Sequence, residues 1–435
     1  MKRLILMLVL ALSAVSWAGG YGGGDGGPNN PYQIWTPQQM KIMGFYSEDW
    51  DKHFKLMANL DMSGYTGTQY TPVGDGGTPF TGIFDGNGYC ISNISPYTVS
   101  DVNSKGVFGR TFNAIIKDLH IKNVYVGTRG PYAGGLVGYQ ISGSISNCST
   151  TGRVSSSDFN GTSSATTGGL VGYMSGGSIT NCFSFVTVGS SSSSSTYAGG
   201  LVGYQNSGSI VNCFSAGTVS SNSFIGTALA GGLVGVQAYG SIDRCYSMAE
   251  VFSGSFPNYP YAGGLVGKQV GENTEALIEK CFSTGKVTAN IASSRIGGLV
   301  GFKSGSQGVI NDSFWDSETS GKMTSAGGMG KTTVQMMTLS TFTGAGWDFS
   351  DGDGDPKDWM MLREGEDYPR LAWQTVWGGD VAGLYGVDMV DFVYLANYWG
   401  LNCGAGDCGR ADIDGSGDVG IGDLVSVAEE WLVGG

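Results

Sequence analysis

Between Asp412 and Asp423 the chain reads DIDGSGDVGIGD, and five of these twelve side chains carry oxygen that a hard cation accepts. Calcium takes six to eight oxygen ligands at once, so the donors must wrap around a point. Asp412, Asp414 and Ser416 fall at loop positions 1, 3 and 5, and Gly417 permits a sharp turn at position 6. Asp418 offers its carbonyl at 7, Gly420 leaves room for a water at 9, and Asp423 at 12 can bind through both oxygens. Val419, at position 8, is the inward apolar residue. A generic Asp-Gly loop is the alternative. The match at so many positions, directly in front of a helical pattern, favours calcium.

A second copy stands upstream. In DVAGLYGVDMVD (380–391), Asp380, Asp388 and Asp391 remain, but Ala382, Leu384 and Tyr385 fill positions 3, 5 and 6. Calcium is expected to bind weakly or not at all there. Apolar residues at helical spacing follow each loop: Phe392, Leu395, Ala396 and Trp399, then Leu424, Val427, Ala428 and Trp431. Cys403 and Cys408, close together on the linker NCGAGDCG, predict a local disulfide. Two EF-hand-type loops that each precede a helix resemble a type I dockerin module, over residues 377–435. The resemblance implies a calcium-dependent attachment to a cohesin-like scaffold or surface protein. It also implies that loop positions 10 and 11 choose the partner. Here these are Met389 and Val390, then Ile421 and Gly422, instead of the polar pair often seen.

Other chemistry is sparse. Two histidines in 435 residues leave little room for His-based catalysis or a multi-His metal site. SAGGMGKTT (325–333) approximates a phosphate-binding loop, but Ser325 stands where its first Gly belongs. SDGDGDP (350–356) is acidic, yet Pro356 replaces the turn Gly of a calcium loop. Asp243, Arg244, Glu250, Glu279 and Lys280 are scattered along the chain. The net charge of −13 argues against nucleic acid or anionic lipid as a partner.

The elements that must carry these residues are announced by a repeat. GGLVG recurs six times, its Leu at 136, 170, 201, 233, 265 and 299. A second phrase, I-x-N-C in its fullest form, keeps step and places Cys148, Cys182, Cys213, Cys245 and Cys281. A valine follows each Cys six residues later: Val154, Val188, Val219, Val251 and Val287. Plainer units flank these, with Leu119 and Ile94 expected in the Cys slot upstream and Asp312 downstream. Each unit is Gly-rich, β-branched and free of helical periodicity, and reads as about three short strands. One unit cannot bury its apolar face alone, so the units must stack. The expected fold is mainly β: a right-handed parallel β-helix in which like residues form ladders, plus the small helical carboxyl-terminal module. A propeller is the rival, but its blades need about 40 residues and four strands. In such a ladder the five cysteines are buried, unpaired thiols. A bend is expected at the Asn before each Cys, and Thr150, Ser184, Ser215, Ser247 and Ser283 are expected to face inward. Cys90 has no place in this frame.

GGLVG followed by I-x-N-C resembles the GLUG-motif repeat, over roughly residues 80–320. The resemblance implies a pectin-lyase-like β-helix and names no reaction. Five segments follow: a signal peptide (1–18), a cap (19–79), the repeats (80–322), a second cap (323–376) and the dockerin-like module (377–435). Lys2 and Arg3 before the apolar run Leu4–Val15 carry the export reading. Thr36, Pro37 and Gln39 predict a capped helix ending at Gly44, able to plug the first coil. GKTTVQMMTLSTF predicts another downstream, and GWDF and DYPRLAWQ supply aromatic anchors for a closing segment.

Two functions are expected. One is a non-catalytic, secreted or cell-surface β-helix that binds or displays, held by its calcium-dependent module. The other is a polysaccharide lyase or glycoside hydrolase. Phe183, Phe214, Tyr246 and Phe282, each following a Cys, would form an aromatic ladder. So would Tyr139, Tyr173 and Tyr204. Such ladders can stack on sugar rings or on each other beneath a loop.

Overall fold

The structure, a computed structural model, describes residues 20–96, 104–158, 164–256, 258–291, 295–349, 358–374, 399, 419–425 and 427. The chain divides into two compact units, Met1–Leu371 and Ala372–Gly435. The first is a parallel β-solenoid. One coil shows the plan: strands Ala165–Gly168, Val171–Met174, Ser178–Thr180 and Phe183–Ser192. Each pairs in parallel with its counterpart one coil away, which generates four sheets of 7, 7, 10 and 12 strands. In chain order these are the glycine sheet, the tyrosine sheet, the isoleucine sheet and the long sheet.

A coil therefore has four strands where the sequence reading gives three, because GGLVG is a corner and not one strand. The physical cause is a shared acceptor. The carbonyl of Leu233 accepts the N–H groups of both Leu201 and Val202, at 2.9 and 3.0 Å, and Leu201, Leu265 and Leu299 repeat the pattern. Two consecutive N–H groups aimed at one oxygen require a pinched chain, and a carbonyl has two lone pairs to receive them. The glycines make the pinch possible. A Cβ on Gly200 would lie 1.9 Å from the carbonyl oxygen of Gly232 in the next coil.

The expected ladders form. Leu136, Leu170, Leu201, Leu233, Leu265 and Leu299 are fully buried, as are the valines six residues after each cysteine. Thr150, Ser184, Ser215, Ser247 and Ser283 are buried too. Three of their hydroxyls donate to glycine carbonyls of the next corner: Thr150 to Gly169 (2.9 Å), Ser215 to Gly232 (2.7 Å) and Ser283 to Gly298 (2.8 Å). The bend before each Cys is a left-handed residue. Asn147, Asn181 and Asn212 have φ of 52–53°, and Arg244 and Lys280 have φ of 47°. Asn and Asp tolerate this region better than other side chains.

The thiols do more than fill space. The thiols of Cys182, Cys213, Cys245 and Cys281 accept the backbone N–H of the preceding coil's cysteine, as Cys213 Sγ does from Cys182 N at 3.4 Å. Each also donates to the carbonyl two residues before itself, as Cys213 does to Val211 at 3.1 Å. All five are unpaired. The ladder ends at Ser313, which accepts Cys281 N at 3.1 Å and donates to Asn311 O at 2.6 Å. This corrects the expected Asp312, which is instead the left-handed bend residue (φ 42°). Ser313 shows that a hydroxyl serves in the slot. Cys213→Ser is therefore expected to destabilise less than Cys213→Ala in urea titrations. The alanine strands the buried N–H of Cys182, a penalty of about 1–3 kcal/mol.

The solenoid begins before residue 80. Strand Tyr32–Ile34 pairs with His53–Leu56, and that with Ile83–Asp85. Aromatic rings replace the later ladders here, with Phe54, Phe80, Phe84 and Phe108 in contact at 5.1–6.2 Å. Helix Pro37–Met43 has the expected capping box: Gln39 N donates to Thr36 Oγ1, and Thr36 N to Gln39 Oε1. It sends Met40 and Met43 into the core. Two short helices, Thr333–Met336 and Leu339–Thr343, stand where one is expected downstream. No helix among the described residues is long and apolar enough to cross a membrane. Residues 1–18, the expected signal segment, lie outside the described residues.

Candidate binding surfaces and the metal loop

The residue after each cysteine starts a strand of the long sheet and lies in register with its neighbours. Phe183, Phe214, Tyr246 and Phe282 stack at 4.8–5.0 Å with ring planes 4° apart. The column continues to Phe314, and in the other direction to Ser149, His120 and Cys90. This places Cys90, which the sequence left without a role, at the foot of the aromatic column. It also corrects the expectation for Ile94: Cys90 pairs with His120, so Tyr89 and not Ile94 lies opposite Leu119 in the cysteine slot. His120 Nδ1 is 2.8 Å from Ser149 Oγ, and burial lowers the pKa of the imidazole.

The closing segment lies across this column as a strap. Trp347 and Trp359 pack on each other at 4.5 Å and on Phe282 at 6.3 and 5.9 Å. Phe342 packs on Phe314 and Trp359 on Tyr246. Polar ties hold the strap's length. Trp347 Nε1 donates to Asp312 O (2.8 Å), Tyr368 Oη to Asp316 (2.7 Å), and Arg244 pairs with Asp358 (3.3 Å). Phe214, Tyr246 and Phe282 are 1%, 2% and 0% exposed. No sugar reaches those three rings, and only Phe183 is partly open.

The tyrosine ladder is built differently. Tyr139, Tyr173 and Tyr204 stack at 4.8 and 5.1 Å. Tyr132 and Tyr197 meet them edge-on, and the Arg110 guanidinium covers Tyr139 at 4.7 Å. The rings are half-buried, but their faces are taken up by one another.

Of the scattered charges, Arg244 joins Asp243 (3.1 Å) to Asp358 of the strap. Burial pushes the Asp243 carboxyl up to about 6, against the pull of Arg244. Glu279 is its in-register neighbour. The stretch 325–333 is no phosphate loop. Met329–Lys331 is the solenoid's last strand, and the Thr333 N–H donates to Glu318.

In the second unit, residues 421–425 are helical, so a helix starts where the loop was expected to hand over. Asp423 is buried and accepts the N–H of Gly420 at 2.7 Å; Val419 is buried, and Ile421 and Gly422 are exposed. Trp399 is 47% exposed. Asp412, Asp414, Ser416 and Asp418 lie outside the described residues, as do Asp380, Asp388, Asp391, Met389, Val390, Cys403, Cys408 and the acidic stretch 350–356. Of the expected metal loop, the described residues thus include only its end, where the Asp423 carboxylate accepts a backbone N–H at the helix start.

Four-strand coils, a pinched glycine corner and a strapped aromatic column define a parallel β-solenoid. The GLUG motif matches residues 130–155 and 194–220, so two stretches of the solenoid carry it. A protein described as a Gly-rich membrane protein, from Evansella cellulosilytica, is 35% identical over 102 residues, 23% of this chain and 11% of that protein. Halomucin of Haloquadratum walsbyi is 29% identical over 141 residues, 30% of this chain and 2% of halomucin. The chain thus spans a small fraction of the length of these curated relatives. A crystal structure described as an immunoglobulin A1 protease, from Bacteroides ovatus, covers 82% of this chain and 96% of its own at a TM-score of 0.54 and 19% identity. That likeness is one of fold.

Proposed function

We propose that this is a non-catalytic, secreted or cell-surface display protein. Its solenoid presents a long binding face, and its carboxyl-terminal module attaches it, through calcium, to a cohesin-like scaffold or surface protein. One observation carries the reading. The residues of the main ladders are spent on stacking: the leucines, valines and thiols in the core, the serines on glycine carbonyls, the rings on one another. The names of the curated relatives, a Gly-rich membrane protein and halomucin, accord with a place at the cell surface. Asp412, Asp414, Ser416, Asp418 and Asp423 would hold the calcium, which would fix the loop against its helix. The competing reading, a polysaccharide lyase or glycoside hydrolase, needs paired carboxylates or a base beside a cation-holding cluster. The carboxylates that gather at the bend, Asp243 and Asp358, are tied to Arg244 and the strap.

The test is capture from the source organism's surface fraction by the immobilised full chain. With calcium a partner is retained; EGTA, or Asp412→Ala with Asp423→Ala, releases it. Capture indifferent to both would refute calcium-dependent docking. Release of reducing sugars or unsaturated products from polysaccharides by the same preparation would establish the competing reading.

A further inference from the structure

Three successive coils of the long sheet set out six outward side chains in a grid. Val219, Val251 and Val287 point inward, each 1% exposed, so the residues on either side of them point outward. One column is Thr218, Glu250 and Lys286; the next is Ser220, Phe252 and Thr288. The register is fixed by Thr218 opposite Glu250, Ser220 opposite Phe252, Val251 opposite Val287 and Phe252 opposite Thr288. The columns are about 6.6 Å apart and the coils about 4.8 Å. Between them lies a cleft of about 240 Å³ lined by these residues.

The contents differ from the ladders in a way that matters for a ligand. The rings after the cysteines cover one another, whereas Phe252 has Ser220 on one side and Thr288 on the other. It is 37% exposed. Gly254, two residues on, leaves a gap that the ring overhangs, since a Cβ there would meet it at 3.2 Å. Glu250 and Lys286 are opposite charges in adjacent coils, both exposed, and neither has an ion-pair partner among the described residues. Thr288 donates its proton to Val251 O at 3.0 Å, which leaves its oxygen to accept.

A flat apolar ring bordered by hydroxyls, a carboxylate and an ammonium is the chemistry that recognises a pyranose. The C–H face of such a sugar would lie on Phe252, its hydroxyls would donate to Glu250, and its oxygens would accept from Lys286. The volume is below the ~300–1,000 Å³ that encloses a drug-sized ligand, and so suits one ring of a longer chain. Glu250 is the one carboxylate lining the cleft, and glycoside hydrolysis takes a pair about 5–9 Å apart. We propose that the grid is a subsite that holds one pyranose unit of an extracellular polysaccharide without cleaving it. The assignment rests on the reading of the solenoid as a binding face.

Titration calorimetry of the full chain against cello-, xylo-, chito- and galacturono-oligosaccharides tests it. At least one series is expected to bind. Phe252→Ala should weaken it tenfold or more, about 1.4 kcal/mol. The near-isosteric Glu250→Gln should weaken it at least threefold, with an unchanged circular dichroism spectrum. Phe185→Ala, on the same sheet, should bind as the parent does. Failure of all four series to bind the parent, or undiminished binding by Phe252→Ala, would overturn the subsite. Calcium-dependent capture is read on other variants, so loss of one result leaves the other standing.

Discussion

Gly200→Ala is expected to cost the solenoid about 3 kcal/mol or more, seen as a fall in the urea midpoint. The added methyl would lie 1.9 Å from the Gly232 carbonyl oxygen and 2.9 Å from Ser215 Cβ. Both belong to neighbouring structure that is itself fully packed. Overpacking costs about 1–3 kcal/mol where side chains can move aside, and more where the obstacle is backbone. Here the obstacle is the backbone of the next coil's corner, and to move it would break the paired N–H groups that Leu233 receives. Gly189→Ala is the control. Its methyl would meet only Ser155 Cβ at 3.9 Å, so a change within about 0.5 kcal/mol is expected. Equal effects of the two substitutions would show that glycine matters here only through chain entropy.

Trp359→Ala should have the second large effect, and a local one. Trp359 is fully buried between Trp347, Tyr246 and Phe282. Truncation of a buried tryptophan costs about 3–5 kcal/mol. The loss should fall on the strap first, because the coils beneath keep their own ladders. Limited proteolysis should then cut within residues 339–371, and a hydrophobic dye should bind the uncovered column of Phe214, Tyr246 and Phe282. A variant that resists protease as the parent does would mean that the strap is held by its polar ties to Asp312, Asp316 and Arg244 and not by its rings.

The repeat was legible because stacking forces it into the sequence. Each coil must offer its neighbour a leucine, a thiol and a valine at matching places, so Leu201, Cys213 and Val219 announce themselves by recurrence. The left-handed bend was legible too, since Asn recurs where the alternation breaks. Other features were hidden for stated reasons. The early coils pack Phe54, Phe80 and Phe84 in place of the recurrent set, so no phrase marks them. The fourth strand depends on two N–H groups sharing one carbonyl, which leaves no trace in residue type. Ser313 and Tyr89 were misplaced by one residue and by several, because the terminal coils lack the cysteine that fixes the count. The strap's path along the side follows from Trp347 and Trp359 meeting rings distant in sequence. Glu250 was visible as an isolated acid; its neighbours Phe252 and Lys286 escaped because a search for recurrence discards the positions where coils differ, and those are the positions that face a ligand.

The strap also alters how the solenoid comes apart. A stack whose coils touch only the next coil behaves as a one-dimensional chain, able to fray from its end one unit at a time. By spanning the coils of Tyr246, Phe282 and Phe314, the strap couples units that are not adjacent. Those coils must then open together or not at all. The carboxyl-terminal end of the solenoid becomes one cooperative block, while the coils from Phe183 back towards Cys90 keep the zipper-like freedom of an unstrapped stack.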